Sequence, residues 1–324
     1  LTIDTNASDS MIASGAIDLR DLSINGASDL TLTTSGHNGT AAQSTNAGNV
    51  RLGDVGVVTP LNSLTVDTRG AITHGTLFLH DSTNDGTINI STEDVAGGDV
   101  DFTNAPIVVI ATANASVVID TDSDDAGVAG DVLFADATNA LNATFDGAGA
   151  GNEQLTIDTT SAGTDGNVRL SQIGDTTPLG GVTVNADAGV IVLHGDVDTS
   201  INGGAAQNGI VDLNASIIEL AANIVVTTDG GAFDSTGATI VSDSDGLWDL
   251  TIDTTDGTGT VAGNVSLGEF GNDSGNNDLA GAGARKFVND VQIDTTDTTA
   301  GSLTLTDDVR LDDDGSGGAS QFTF

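Results

Sequence analysis

The chain has 324 residues, and its 47 Asp and Glu against seven Lys and Arg give a formal net charge of −40 at pH 7. Nucleic acids and anionic membranes are bound through basic surfaces, so this charge argues against both as partners. No apolar run approaches the roughly 20 residues of a membrane-spanning helix, and the absence of Cys removes disulfides and thiol chemistry.

Nearly all of the acidic residues are Asp, and this choice predicts where they lie. Asp bonds to its own neighbouring backbone and suits turns, whereas Glu suits helix interiors. The sequence therefore predicts acidic turns and not acidic helix faces. The chain begins at Leu1 without Met, and its end at Phe324 reads as an interrupted strand, so we expect it to be part of a longer chain.

The elements predicted in chain order are short β-strands separated by polar turns. Residues 1–32 hold the runs LTI, AIDL, LSI and LTL. Comparable runs follow about every 11 residues as far as FTF at Phe322, which is the spacing of an all-β chain. The nearest candidate for a helix runs from Ser216 to Ala222, and its Ile-Ile pair fits a strand equally well.

The same strand-turn-strand phrase returns along the chain. LTIDT occurs at Leu1, Leu155 and Leu250. Residues 49–72 align without a gap with residues 167–190, which lie 118 positions later, and ten of the 24 aligned positions are identical. A third copy begins at Gly263 with GNVSL and diverges into a Gly- and Asn-rich stretch from Asn272 to Arg285, which we predict to be a loop insertion.

Two all-β architectures compete for this pattern. Tandem β-sandwich domains need aromatic anchors in each core, but aromatic residues are 3% of the chain, Tyr is absent and Trp248 stands alone. A parallel β-helix stacks small aliphatic residues and places Asn, Thr, Ser and Gly in its turns. Three strands per coil give coils of about 30 residues and about ten coils. The sequence therefore predicts one right-handed parallel β-helix, or β-solenoid, over residues 1–324, with tandem β-sandwich domains as the alternative.

The phrase GNVRL at residues 48–52, followed by Pro60-Leu61 and by LTV at residues 64–66, returns at residues 166–184. It resembles the repeats of giant bacterial surface proteins, the filamentous-haemagglutinin-like adhesins and related β-strand-repeat proteins. The resemblance covers most of the chain and lies in short strands, Gly, Thr and Asp turns, few aromatic residues and no Cys. It implies secretion, an extracellular location at the cell surface, and adhesion through a long rod. It supplies no catalytic residues.

Two acidic stretches are candidate calcium sites. Residues 120–125 read DTDSDD, with oxygen ligands at alternate positions and a further carboxylate 11 residues after the first, as in a calcium loop. The stretch differs from an EF-hand, because Asp125 replaces Gly, Asp131 replaces Glu and strands flank it. The alternative for both stretches is a solvated turn held by Asp-to-backbone bonds. The candidate ligands are Asp120, Asp122, Asp124, Asp125 and Asp131 in the first stretch, and Asp307, Asp308, Asp312 and Asp314 in the second.

The Asp of each IDT unit follows the last inward-facing aliphatic residue. We predict a turn former, followed by a Thr that bonds the backbone. If the copies stack on one edge of the solenoid, they form a carboxylate ladder that needs a cation. The residues concerned are Asp4, Asp120, Asp158, Asp253 and Asp294.

An enzyme is the competing class of function, since some β-helices act on polysaccharides. A glycosidase needs two carboxylates about 5–10 Å apart, a condition that a chain with 47 acids meets by chance. Arg51 and Arg169 occupy equivalent repeat positions, which favours a structural role for both. The four His residues show no metal-binding spacing. The sequence therefore predicts no enzymatic activity and no catalytic residue.

The function that the sequence predicts is a structural or adhesive rod of an extracellular cell-surface protein. Its expected partners are the continuation of its own chain or homo-oligomeric neighbours, with a cell-surface carbohydrate or protein as receptor. One alternative is a self-assembling subunit of an extracellular filament, sheath or surface layer, joined through strand edges. The other is a polysaccharide-active enzyme.

Overall fold

The computed structural model describes residues 1–5, 14–35, 46–70, 72–93, 98–123, 127–136, 143–149, 151–200, 209–243, 247–271, 287–309, 311 and 321–324. Within these residues the chain forms 25 β-strands and no helix. Every pair of neighbouring strands is parallel. The alternative of tandem β-sandwich domains is therefore wrong, because sandwiches are built from antiparallel sheets.

The strands form two sheets, one of eleven strands and one of fourteen. The eleven-stranded sheet contains β2 Ile17–Leu19, β4 Val50–Leu52, β6 Leu77–Leu79, β9 Ile107–Ile110, β12 Thr144–Asp146, β15 Gln172–Ile173, β17 Val197–Asp198, β19 Ile224–Thr227, β21 Leu250–Asp253, β23 Val291–Asp294 and β25 Phe322–Thr323. The fourteen-stranded sheet contains β1 Thr2–Asp4, β3 Asp29–Thr33, β5 Ser63–Asp67, β7 Thr87–Ser91, β8 Val100–Asn104, β10 Ser116–Asp120, β11 Val132–Leu133, β13 Gln154–Asp158, β14 Val168–Leu170, β16 Gly181–Leu193, β18 Ile210–Leu220, β20 Phe233–Ser242, β22 Val265–Phe270 and β24 Leu303–Leu305.

The pairing defines three lines of stacked strands, which the chain visits in the order A, B, C. Line A is the eleven-stranded sheet. Line B contains β7, β10, β13, the first halves of β16, β18, β20 and β22, and then β24. Line C contains β1, β3, β5, β8, β11, β14 and the second halves of the same four long strands. In the first two coils, line B is represented by single residues and not by strands. Ile24 pairs with Val55, and Val55 pairs with Ile90 of β7.

The coils vary in length while their strands stay in register. Val211 pairs with Phe233, 22 positions later, whereas Leu250 pairs with Val291, 41 positions later. Two parallel strands need a connection that carries the chain from the end of one strand back to the starting end of the next. Here the rest of each coil is that connection. The architecture is a parallel β-solenoid with three strand positions per coil, as the sequence predicts, and line A records eleven coils.

The core follows from the two-residue period of each strand. In β4, Val50 and Leu52 are fully buried and Arg51 between them is half-buried. The inward aliphatic residues form one cluster that runs from Ile17 to Ile293. Burying each Val, Leu or Ile side chain contributes about 1.5–3 kcal/mol, so the stack of short apolar runs is the main source of stability.

Part of line C is buried on both of its faces. Beside the inward Ile191 and Leu193 of β16, the outward Val190 and Val192 are also buried. They form a second, smaller cluster with Ile217 of β18 and Val241 of β20. The stretch that could have been a helix, from Ser216 onward, therefore belongs to β18, and its adjacent Ile residues face opposite sides of the strand.

Candidate functional site

The LTIDT phrase builds a closed corner of the solenoid. In the copy that starts at Leu155, β13 ends at Asp158, and the buried Thr159 then turns inward. The Thr159 hydroxyl donates to the Gly166 carbonyl at 3.0 Å, and the Gly166 N–H donates to the Thr159 carbonyl at 2.8 Å. The same Thr-to-Gly bond joins Thr5 to Gly15, Thr34 to Gly48, Thr68 to Gly75, Thr92 to Gly98, Thr121 to Gly130, Thr199 to Gly209, Thr228 to Gly231 and Thr254 to Gly263.

The Asp of the phrase holds the start of the turn, as the sequence predicts. The Asp158 carboxylate accepts the Thr160 N–H at 3.0 Å and the Thr160 hydroxyl at 2.6 Å. Asp253 and Asp294 bind the second residue after them in the same way. The hydrogen bonds from Thr296 lower the pKa of Asp294, because they stabilise its ionised form. These carboxylates therefore serve the backbone of their own turns.

Most of the corner glycines are required by the close approach of the preceding coil. A Cβ on Gly166 would lie 2.0 Å from the carbonyl oxygen of Gly130, so only hydrogen fits there. The stacked glycines form three series, one at each corner of the solenoid: Gly15, Gly48 and Gly75; Gly98, Gly130, Gly166 and Gly189; and Gly209, Gly231, Gly263 and Gly301.

The copies of the phrase stand on different lines of strands. Leu1 precedes β1 on line C, Leu155 lies in β13 on line B, and Leu250 lies in β21 on line A. The phrase needs only a strand, a turn and a following strand, and all three corners of a coil offer these. Sequence repeats in this chain therefore mark corners and do not mark whole coils.

The Asn that opens the next strand keeps one role on all three lines. The side-chain oxygen of Asn49 accepts the N–H of Thr76, and that of Asn167 accepts the N–H of Val190. Asn264 accepts the N–H of Ser302 in the same way. Each bond links one coil to the next, which explains why Asn is retained in the aligned copies.

Asp takes this linking role as well, which the sequence analysis missed. The Asp99 carboxylate accepts the Asp131 N–H at 2.9 Å, and the Asp131 carboxylate accepts the Asn167 N–H at 2.7 Å. Burial, and then the nearby Asp131 charge, raises the pKa of Asp99. The signal available in the sequence was an Asn or Asp directly before the first inward residue of a strand. Further coil-to-coil links of this type start from Asp196, Asn223, Asp249 and Asp290.

The five Asp residues of the IDT units do not stack on one edge. Asp120 pairs with Asp158 on line B, and Asp253 pairs with Asp294 on line A, whereas Asp4 lies opposite Thr33 on line C. A continuous carboxylate ladder is therefore absent from these residues. The physical reason is that the repeated phrase changes corner along the chain.

The first candidate calcium stretch is described only in part. Asp120 accepts the N–H of Asp122 at 3.1 Å, while Asp131 binds the next coil as above. Asp124 and Asp125 lie outside the described residues.

The second candidate stretch is also incomplete. The Asp307 carboxylate accepts the Asp308 N–H at 2.9 Å, and Asp312 and Asp314 lie outside the described residues. In the part of the chain that the structure describes, no group of three or more His, Cys, Asp or Glu side chains could hold a metal ion. The described members alone do not make a three-ligand set, and calcium binding stays a prediction for the complete loops.

Arg51 and His74 contact neighbouring groups of the solenoid. The Arg51 guanidinium lies 5.4 Å from the centre of the Phe78 ring on the outer face of line A. The His74 Nδ1 accepts the Gly70 N–H within its turn. Burial is the main cause that lowers the pKa of His80 and of His194. The insertion from Asn272 to Arg285, with Lys286 beside it, lies outside the described residues.

No protein family, curated protein sequence or solved structure matches this chain. Among the residues that the structure describes, no helix is long and apolar enough to cross a bilayer. The fold and its recurring residues define the class of the protein as a parallel β-solenoid, whose repeated Asp, Thr, Asn and Gly residues close corners and join coils.

The corner hydroxyl can be tested by replacing Thr159 with Val. We expect a loss of about 1–3 kcal/mol in the free energy of unfolding, because the buried Gly166 carbonyl loses the hydroxyl that donates to it. Thr156→Val is the matched control, since Thr156 lies on the outer side of β13, the strand that leads into Thr159. It should change stability by no more than about 0.5 kcal/mol. Urea denaturation followed by circular dichroism measures both, and equal midpoints for the two variants would contradict the role of the Thr159 hydroxyl.

Proposed function

We propose that the chain is a structural rod of an extracellular cell-surface protein, adhesive through its outer faces and without catalytic activity. The observation that carries this proposal is the uninterrupted stacking of line A, where each of eleven strands from β2 to β25 pairs with the next. Such a stack grows by adding coils and needs no new core. With about 4.8 Å between neighbouring strands, eleven coils span about 50 Å.

The use of the acidic residues supports the same proposal. Many Asp side chains close their own turns or link two coils, as Asp158 and Asp131 do. A net charge of −40 also keeps an extended surface soluble. The resemblance of the GNVRL phrase to adhesin repeats supports the extracellular location and the binding of a carbohydrate or protein receptor.

Three measurements on the purified chain test this function. Negative-stain microscopy should show isolated rods about 50 Å long, whereas ordered polymers would favour the filament alternative.

Beads coated with the chain should adhere to a surface of polysaccharide or matrix protein. Beads coated with a globular protein of similar negative charge are the control, and equal adhesion by both would contradict a specific adhesive surface. Release of reducing ends or unsaturated uronates from polysaccharides would contradict the non-catalytic part.

Calcium belongs to this proposal as a ligand of the two acidic stretches. The donor atoms would be carboxylate oxygens, which calcium prefers, and binding would stabilise the turns that hold them. We expect the melting temperature to fall when EGTA is added to the chain in calcium-containing buffer. An unchanged melting temperature would contradict calcium binding and would leave the rod proposal intact.

A further inference from the structure

Two carboxylates face each other across neighbouring coils on line B. Asp212 of β18 and Asp234 of β20 are direct partners in the parallel register. Their Cα atoms therefore lie about 4.8 Å apart. Both side chains point outward and are half-buried, because they alternate with the buried Val211, Leu213 and Phe233.

Among the residues that the structure describes, the strand partners of this pair carry no compensating charge. Thr183 of β16 lies opposite Asp212, and Ser266 of β22 lies opposite Asp234, so the row continues on both sides with uncharged residues. Within the described residues, the Asp234 carboxylate is the charged group that acts on Asp212. Asp234 also accepts the N–H of Thr236 at 2.8 Å, which holds its carboxylate in place.

An adjacent row shows how such a pair can be satisfied. Asn185 and Asn214 stand opposite each other on the same line, and the Asn214 amide donates to the Asn185 oxygen at 2.7 Å. An amide has both a donor and an acceptor, whereas an ionised carboxylate only accepts. Two facing carboxylates can therefore form the same link only after one of them takes up a proton.

We propose that Asp212 and Asp234 form an acid-responsive link between two coils, repelling each other when both are ionised and sharing a hydrogen bond when one is protonated. This inference concerns the stability of the solenoid and does not depend on the proposed function. The proton comes from solvent and adds to one carboxylate oxygen, which then donates to the facing carboxylate.

The effect of pH on the stability of the solenoid depends on the direction in which the pKa of Asp212 is shifted. Burial, and then the Asp234 charge, raises the pKa of Asp212 above its usual range. Between the ordinary Asp pKa and this raised pKa, the folded state therefore holds a proton that the unfolded chain has released. The contribution of this proton to stability is fully present below the ordinary Asp pKa. It is lost as the pH rises through the raised pKa of the folded state.

The test compares Asp212→Asn, Asp234→Asn and the double variant with the wild type. At about pH 7 we expect Asp212→Asn to melt about 2 °C higher than the wild type, because an amide can donate to Asp234. At about pH 3 the difference should disappear, since the Asp212 carboxyl of the wild type is then protonated and can donate to Asp234. Asp67→Asn is the matched control, because Asp67 faces the uncharged Thr33 and Asn104, and it should show no gain.

A second measurement keeps the test independent of folding yield. Carbon-13 NMR of the full chain should give Asp212 a titration midpoint above the usual range, and Asp234→Asn should lower that midpoint. The proposal is wrong if Asp212→Asn is no more stable than the wild type at neutral pH, or if its gain persists in acid. It is also wrong if added calcium stabilises the wild type at neutral pH and not Asp212→Asn, because the pair would then be a cation site.

Discussion

Replacing Gly166 with Ala should destabilise the solenoid by at least about 3 kcal/mol, near the upper end for a single substitution. The added Cβ would lie 2.0 Å from the carbonyl oxygen and 2.8 Å from the carbonyl carbon of Gly130. Both atoms are backbone of the preceding coil, so no side chain can rotate away to make room. The two coils must separate, which also strains the bond from Thr159 to Gly166. Urea denaturation measures the loss.

Gly181→Ala is the control for this substitution. A Cβ on Gly181 would meet its nearest atom, the Ile210 oxygen, at 3.3 Å. The Ile210 oxygen has to move by only a few tenths of an ångström. Ala also reduces the conformational freedom of the unfolded chain. We expect a change within about 1 kcal/mol. If Gly166→Ala is as stable as Gly181→Ala, the stacked glycines do not set the spacing of the coils.

Replacing Phe134 with Ala should remove about 3–5 kcal/mol from the free energy of unfolding. The Phe134 ring is 1% exposed and lies between two other buried rings. Its centre is 5.6 Å from that of Phe102 and 5.1 Å from that of Phe145. Most of the core is aliphatic, so neighbouring side chains are too short to fill the space that this ring leaves.

Leu133→Ala tests whether burial causes this loss. Leu133 precedes Phe134 directly and points to the opposite side, where it is half-buried. We expect Leu133→Ala to lose about 1 kcal/mol or less. Hydrogen exchange of the Phe134 N–H, which donates to the Arg169 carbonyl at 2.9 Å, would show whether the opening is local to these coils. Equal losses for the two variants would contradict a core role for the aromatic row.

The sequence predicted the architecture because its signals are local. Apolar alternation at Val50-Arg51-Leu52 is enough to indicate a strand with one buried face. The pairing of Asp158 with Thr160 spans two residues, and that of Thr159 with Gly166 spans seven. Because so few residues separate the partners, a single copy of the phrase contains both of them.

The positions of the candidate sites could be predicted less well from the sequence. The repeated Asp residues suggested a common edge, but the structure places Asp158 on line B and Asp253 on line A. Likewise, nothing near Asp212 in the sequence points to Asp234, because the 22 positions between them depend on the length of that coil. Coil-to-coil links such as that from Asp131 to Asn167 were missed for the same reason.

The sequence by itself determined that this protein is an all-β solenoid with Asp-Thr turns, because strand alternation and the bonds from Asp158 to Thr160 lie within a few residues. The need for Gly at a corner comes from the neighbouring coil, as for Gly166 beside Gly130. Only the tertiary structure decided which corner each copy occupies and which carboxylates meet. Coil lengths from 22 to 41 residues set that register. Turns of different length can be accommodated between strands that stay in place, so spacing along the chain does not reveal neighbours across the coils.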